Sequence, residues 1–596
     1  MTDLHEENSR NQTSLSSGIP LSAAAKCANV TMKNPQISTI GRQITVFAQT
    51  PPTPNYKWFS CISSTVFTAL CLLPIFSAAG YAQTPQNRPI KIGVVQRFGT
   101  KATDKLTLKA LPGDSLTLSY KTPQGTETKT AASIKLEIAN KPLQAPLVEE
   151  RVVLSSHRSF ESAEDSANQW RAKGIDVEIA QPFRWQVWAK RDTYNSPIVR
   201  RWLLQSLQAQ GNKTAFLDSK VIKQVPQAFW VLNGFRFNRN ELDVTAGKNV
   251  IEVLKQTTQE ATAIDPEKAI QETRRYGGSL HLQKNSYGTY TLVNEVLTET
   301  YLRGVVPHEI GAFAPYASIV AQAILARTYA LRNLRRFAVD NYELCADVNC
   351  QVYKGLTEVF PQTDKAIAQT AGLVLTYENQ LVDALYSASS GGVTARFGDV
   401  WHGPERPYLR AIVDSPKNVW DLSKQSLSDE NNFRRFMTLK TGFNEEKQDT
   451  FRWREQVSLT SIGAFLRQYL QKKKHPLANF KTLTKVEVVE RSAAGRVLQM
   501  KVQTDLGPID IDKDEIRNAF YPPISTLFYL EPIYNPDKTL NGYAFVGGGF
   551  GHGVGMSQTG SYNLANLGWN GDRILGFYFP GAQVVPLNDS ITFWRE

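Results

Sequence analysis

Gly547-Gly548-Gly549-Phe550-Gly551-His552-Gly553-Val554-Gly555-Met556-Ser557-Gln558-Thr559-Gly560 places seven glycines in fourteen residues near the end of a 596-residue chain. Glycine gives up more backbone entropy on ordering than any other residue. Such a run is expected where the chain needs unusual dihedrals or where main chain closely approaches another group. A flexible linker is the plain alternative, but linkers are Gly/Ser-rich and lack Phe, Val, Met and His at close spacing. A phosphate loop does not fit either, because no Lys-Ser or Lys-Thr follows the glycines. The stretch reads as a binding surface built largely of main chain, with His552, Ser557 and Gln558 among its polar side chains.

A second stretch, Tyr301-Leu302-Arg303-Gly304-Val305-Val306-Pro307-His308-Glu309-Ile310, runs into a helical pattern from Tyr316 to Leu331 that carries Ala321-Gln322-Ala323 and Ala326-Arg327-Thr328-Tyr329-Ala330. Between it and the glycine loop lie Gln351-Val352-Tyr353-Lys354-Gly355, Tyr386-Ser387-Ala388-Ser389-Ser390-Gly391-Gly392, and Trp401 with Pro407-Tyr408-Leu409. In this order, from about Arg274 to Pro586, the motifs resemble the SpoIID/LytB family of bacterial cell-wall proteins. The resemblance implies an α+β, multidomain chain whose mixed-sheet SpoIID-type catalytic domain acts on peptidoglycan glycan strands stripped of their stem peptides. It gives Glu309 the general acid/base role in lytic transglycosylase chemistry: cleavage of the bond from N-acetylmuramic acid to N-acetylglucosamine with a 1,6-anhydro product. Hydrolytic glycosidases use two carboxylates. One suffices here, since the acid that protonates the leaving oxygen then takes the proton of the C6 hydroxyl. Asp383 and Asp399 are the other acids near enough in sequence to keep in view. The family also carries a non-enzymatic reading, an enhancer that stimulates a cell-wall amidase, and a wall-binding scaffold without turnover is a third.

Read on their own chemistry, the candidate residues leave alternatives open. Glu309 follows the apolar Val305-Val306-Pro307, and a carboxylate against apolar walls has its charged form disfavoured, as a proton donor near neutral pH requires. Its alternative is to cap the helix that follows. Tyr386, Ser387, Ser389, Gly391 and Gly392 offer hydroxyls and main-chain amides to a sugar, or are ordinary strand-end residues. His552 either bonds substrate or Glu309, or is held by surrounding main chain for structural reasons. Ser557 and Gln558 either anchor the loop or bind sugar. Some family members hold zinc with a Cys-x-x-x-His-Cys pattern. Here that stretch is Cys345-Ala346-Asp347-Val348-Asn349-Cys350, with Asn349 at the histidine position, and two thiolates fall short of the usual four ligands. The expectation is no metal and no cofactor, with Cys345 and Cys350 as a disulfide or as free thiols.

Hydrophobic content of 42% and charged content of 20% are those of globular protein. The net charge of +12 suits a partner such as the anionic cell wall. No arginine-rich block or aromatic-basic platform points to nucleic acid. Residues 1–56 are polar, without apolar periodicity, and read as a disordered extension. Residues 57–82 have a basic opening, an uncharged apolar stretch and small residues before a cut after Ala82, as in a Sec-type signal peptide. The alternative is an uncleaved anchor, the one case in which a membrane would be a partner. Either way the location is the periplasm or cell envelope.

Beyond the signal, residues 89–145 read as a β-rich segment. Residues 151–218 read as two strand–helix–strand rounds, a βαββαβ order that resembles a SPOR glycan-binding domain and equally a ferredoxin-like fold. Trp185 and Trp188 are its candidate glycan-facing aromatics; at i and i+3 of a strand they face opposite sides, so one of them is expected in the core. Residues 229–590 make up the SpoIID/LytB domain, with a hairpin from Tyr276-Gly277-Gly278-Ser279-Leu280-His281-Leu282 to Tyr287-Gly288-Thr289-Tyr290-Thr291-Leu292-Val293 and a variable insert at about 416–481.

Overall fold

The computed structural model describes residues 87–258 and 269–594. The expected extension and the signal or anchor segment lie outside them. Among the described residues, no helix is long and apolar enough to cross a membrane.

The β-rich segment does not stand alone. Strands β1 (Pro89–Phe98), β2 (Lys105–Ala110), β3 (Leu116–Thr122), β4 (Gly125–Ala131) and β5 (Ser133–His157) divide between two sheets. Alternation does this locally: in β3, Leu116, Leu118 and Tyr120 are buried while the residues between them are not. After β5 come helix α1 (Phe160–Ala172), β6 (Val177–Ala180), β7 (Trp185–Ala189), helix α2 (Pro197–Ala209) and β8 (Phe216–Leu232). Both helices start where serine supplies an N-cap. Ser159 accepts from Ser162 N at 3.2 Å, and Ser196 accepts from Val199 N at 3.3 Å with Pro197 in the first turn.

The expected βαββαβ order is therefore present, and its strands lie side by side as β6-β7-β5-β8, every neighbour antiparallel. That is the arrangement of a ferredoxin-like unit. Its expected limits at 151 and 218, however, fall inside β5 and β8. Both strands run on past the unit within one eight-stranded sheet, where β5 also pairs with β2 from Lys105↔Glu137 to Lys109↔Ser133.

One tryptophan is expected in the core and one exposed, but both are buried, Trp185 at 2% and Trp188 at 0% exposure. They do face opposite sides of the strand, but both sides are covered. Trp185 packs with its ring 5.1 Å from Phe160 of α1 and 5.0 Å from Phe337. Trp188 meets Tyr287 at 6.0 Å with the Arg151 guanidinium over its face at 4.5 Å.

Next in the chain are β9 (Phe235–Phe237), β10 (Leu242–Ala246), β11 (Val250–Thr258), β12 (Ala269–Gly277), β13 (Ser279–Lys284) and β14 (Tyr290–Leu297). The hairpin expected from Tyr276 breaks at Gly278, whose φ is +82°. There the chain leaves β12, at the edge of one sheet, and enters β13 in the other. A Cβ at Gly278 would fall 2.1 Å from the Glu295 carbonyl oxygen, so the crossover requires glycine. The hairpin that forms is β13–β14, from Ser279↔Glu295 to Lys284↔Tyr290.

From β14 the chain enters helix α3 (Thr298–Arg303), a π-helical turn (Pro307–Gly311), helix α4 (Tyr316–Arg332) and strand β15 (Leu344–Cys345), which returns beside β1. Helix α4 is apolar nearly all round and correspondingly central, with Ile319, Ala323, Ile324 and Ala326 at 0% exposure. Its buried Arg327 is matched by Glu299 through two hydrogen bonds of 2.7 Å.

The insert expected at 416–481 has no boundary at its C-terminal end. Ile462 and Leu466 of the helix Leu459–Lys472 share one core with Val486, Val502 and Phe545, all in strands after Lys481. That sub-structure runs on to Gly547, where the glycine loop begins.

Candidate active site

Glu309 sits in the π-helical turn. Pro307 opens that turn, and Gly311, at φ +88°, follows the glutamate by two residues. Val305, Val306 and Ile310 are buried around it, so the carboxyl is half enclosed by apolar side chains. It does not cap α4, whose first turn has no side-chain cap. Glu309 Oε1 instead accepts the backbone N–H of Val352 at 2.6 Å. The Tyr386 hydroxyl also bonds the carboxyl, and the Gln558 amide donates to the Glu309 carbonyl at 3.0 Å. Burial pushes the Glu309 carboxyl up to about 7, against the lowering effect of these hydrogen bonds.

Each neighbour is itself held. Gln351, fully buried, donates to the Tyr386 hydroxyl at 3.1 Å and accepts from the Tyr301 hydroxyl at 3.4 Å. Gln558 also reaches Gln322 of α4 at 3.3 Å. The Cys345–Cys350 disulfide closes the loop that delivers Val352. The Tyr353 hydroxyl, donating to Asn294 at 2.8 Å, fixes that loop's far end.

Tyr386–Ser387 pairs in parallel with Met556–Ser557, which brings the two serine- and glycine-rich motifs together. The glycines allow very close approach. A Cβ at Gly391 would fall 2.6 Å from the Gly548 carbonyl carbon, and Gly391 has φ +73°. The polar groups of these motifs, however, point inward. Ser389 Oγ donates to Glu445 at 3.0 Å, the Ser390 and Gly392 N–H groups donate to the same carboxylate at 2.5 and 3.0 Å, and the Ser557 hydroxyl joins them. Ser557 also caps the helix Gln558–Asn566 by accepting from Gly560 N at 3.0 Å. Asp414 lies beside Glu445 and accepts from Ser390 Oγ at 3.1 Å, Asn444 at 2.8 Å and Tyr578 at 2.8 Å. Burial and the adjacent Glu445 charge push Asp414 up to about 8.

The expected sugar-binding set therefore divides. Tyr386 and Gln558 reach Glu309. Ser389, Ser557 and the amide of Gly392 are committed to Glu445, and Gly391 serves the close approach of two main chains. Ser387 is 7% exposed, and its hydroxyl has no hydrogen-bond partner among the described residues. His552 does not reach Glu309. Its Nδ1 accepts from Val554 N at 3.0 Å, its other ring nitrogen bonds the Tyr386 main chain, and burial lowers it to about 4. It is neutral and fixed in one tautomer.

The two acids kept in view serve as structural partners. Asp383 is held down at about 2 despite its burial, chiefly by Arg332 and Arg406. Asp399 accepts from Ser492 at 3.0 Å. Sequence reasoning missed Asp414 and Glu445. Glu445 lies inside the segment set aside as variable, and nothing in its local pattern marks it as buried.

The sequence profile of the Stage II sporulation protein family SpoIID matches residues 286–377, and a domain of unknown function (DUF8618) matches 395–555. The chain is 28% identical over 400 residues to the amidase enhancer of Bacillus subtilis, covering 62% of this chain and 53% of that protein. It is 27% identical over 308 residues to the Stage II sporulation protein D of the same organism, covering 49% of this chain and 75% of that protein. These matches support a SpoIID/LytB family assignment. An uncharacterized protein of Brachyspira hyodysenteriae is also similar, 26% identical over 320 residues, covering 52% of this chain and 73% of that protein. The chain spans about half the length of the amidase enhancer it matches. The SpoIID segment contains Glu309, α4 and the Cys345–Tyr353 loop, whereas Glu445 lies in the second matched region.

Proposed function

We propose that this chain is an exported cell-envelope protein that cleaves peptidoglycan glycan strands as a lytic transglycosylase, with Glu309 as its general acid/base. The observation that carries the reading is the Glu309 carboxyl itself: half enclosed, raised to about 7, yet tied to Val352 N–H and Tyr386. An acid at that value is populated in both forms near neutral pH, which a group that first gives and then takes a proton needs. The protonated carboxyl donates to the oxygen linking N-acetylmuramic acid to N-acetylglucosamine. That oxygen leaves with the bonding pair as a hydroxyl. The muramic acid C6 hydroxyl then attacks C1, and Glu309 takes its proton. One C–O bond breaks, one forms, and no water is consumed. Val352 N–H holds the carboxylate state between the two transfers.

Mass spectrometry of denuded glycan after incubation tests this: a 1,6-anhydro terminus is expected from wild type and none from Glu309→Gln. The second reading, a non-catalytic enhancer of a cell-wall amidase, is supported by the match to the amidase enhancer. It takes over if wild type releases no anhydro product yet accelerates an added amidase. The βαββαβ unit supports a SPOR-like glycan-binding role by its topology alone, because the two tryptophans offered for it are buried.

A further inference from the structure

Strand β1 leaves regular register twice, between Gly93 and Val95 and between Val95 and Phe98. Such bulges bend a strand away from its neighbours. Beside the bend opens a groove of about 590 Å³. Arg97, Lys101, Lys105, Lys255 and Arg274 line it. The acids that also line it are already used by their own loops. Asp104 accepts from Gly99 N at 2.9 Å and Lys101 N at 3.1 Å, and Asp347 accepts from Asn349 N at 2.8 Å. Lys105 and Arg274 have carboxylate partners in Glu137 and Glu272. Arg97 lies over the Tyr287 ring at 3.7 Å. Lys101 and Lys255 are exposed and form no ion pair among the described residues. Five cationic side chains against two carboxylates leave the groove a positive excess, and a concave surface with such an excess concentrates counter-charge.

The groove's place matters as much as its charge. Ala346 and Asp347 form one wall. Their loop continues to Val352, whose N–H meets Glu309, and to Tyr353, whose carbonyl accepts from Arg274 at 3.3 Å while its N–H bonds the Ala346 carbonyl at 3.1 Å. Arg274 is also near enough to His308, the neighbour of Glu309, to disfavour the imidazolium. One short segment thus lines the groove at Ala346 and Asp347 and meets the Glu309 carboxyl at Val352, two residues past the disulfide.

We infer that this groove holds a polysaccharide strand through carboxylates carried along its length, the continuation of the strand that Glu309 engages. The ligand class rests on the transglycosylase reading; the charge and position of the groove do not. Two sources of carboxylate occur on such a strand, the lactyl group of each muramic acid and the stem peptide.

The test uses the full chain with Glu309→Gln as background, so that nothing is cut during binding. Lys101→Ala with Lys255→Ala is compared with Lys101→Arg with Lys255→Arg on denuded strands, on stem-bearing strands, and on denuded strands whose carboxyls have been reduced to alcohols. The alanine pair is expected to bind carboxylate strands about 2- to 30-fold more weakly at low salt, from the usual worth of two exposed charge contacts. The difference closes at high salt. The arginine pair should bind like the background, and reduced strands should not distinguish the variants. A loss on denuded strands identifies the lactyl carboxylate, and a loss confined to stem-bearing strands identifies the peptide. Equal binding by the alanine pair and the background on both native strands would overturn the inference. Product assays on the Glu309 parent keep the two ideas apart. Lysine-independent binding with anhydro product removes the groove alone, and lysine-dependent binding without product removes the reaction alone.

Discussion

The backbone N–H of Val352 donates to Glu309 Oε1 at 2.6 Å, so the one bond that most directly stabilises the carboxylate comes from main chain. At position 352 only proline would remove that donor, and the carboxyl still rises to about 7 under burial. For a proton donor, activity is expected to fall as pH rises through about 7. Glu309→Gln, which keeps size but relays no proton, should reduce product formation by about 10²–10⁴-fold. Initial rates across pH 5 to 9 check the first, and a single-turnover assay of the variant checks the second.

His552 offers a contrast. Its titration at about 4 leaves it neutral throughout that range. His552→Asn is expected to lower thermal stability, since the Val554 N–H and the Tyr386 main chain lose their imidazole partner, while the pH of half-maximal activity stays where it was. A shift in that midpoint would place His552 in the proton path.

Asp414 binds its proton more tightly folded than unfolded, about 8 against an ordinary 3.8. Between those values the folded chain holds more protons than the unfolded one, so this group's contribution to stability is greatest below about 4 and declines as pH rises to about 8. Asp414→Asn removes the decline. Denaturant midpoints of wild type and variant should therefore converge, or cross, toward pH 8.

Glu445 gathers two hydroxyls and two main-chain N–H groups on one carboxylate. Glu445→Gln replaces one acceptor oxygen by a donor. Buried donors are left facing a donor, a change expected to cost about 2–4 kcal/mol. Chemical denaturation gives the loss directly. Because Ser389 and Ser557 belong to the two motifs that Glu445 joins, product formation should fall with it.

Opening the Cys345–Cys350 disulfide frees the loop that carries Val352. Closing so short a loop contributes roughly 2 kcal/mol. Cys345→Ser with Cys350→Ser should weaken both catalysis and strand binding. Unchanged values for both would show that the packing of Tyr353 holds the loop without the bond.

Much of the local structure was legible before any coordinates. The amphipathic spacing and the closing glycines at 174 and 211 place α1 and α2 to within a few residues, because periodicity and stop residues act over a single turn. The run into α4 was equally plain. What pairing decides was not. Nothing within residues 133–157 says that one strand pairs with β2 along one half and β7 along the other, and Gly278 reads as a residue inside a hairpin strand until β12 and β13 are seen to lie in different sheets. The site divides the same way. Glu309 stood out by its apolar approach. Ser389, Gly392 and Ser557 suit a sugar or a carboxylate equally well, and only the return of Glu445 from a distant segment settles what they bond. Alternation puts Trp185 and Trp188 on opposite faces of a strand, but it reports which face a residue occupies, not whether that face is covered.

The shared strands β5 and β8 bear on how such a chain could have been assembled. A module strung on a linker can be duplicated, lost or exchanged between genes without disturbing what it is attached to. Here the joint runs through the middle of two strands whose pairing is continuous from Lys135↔Val231 to Val153↔Phe216, with one shift after Pro142. A crossover event at either expected limit would leave unpaired strand ends on both products. Excising the βαββαβ unit would therefore cut the eight-stranded sheet it belongs to rather than a linker beside it.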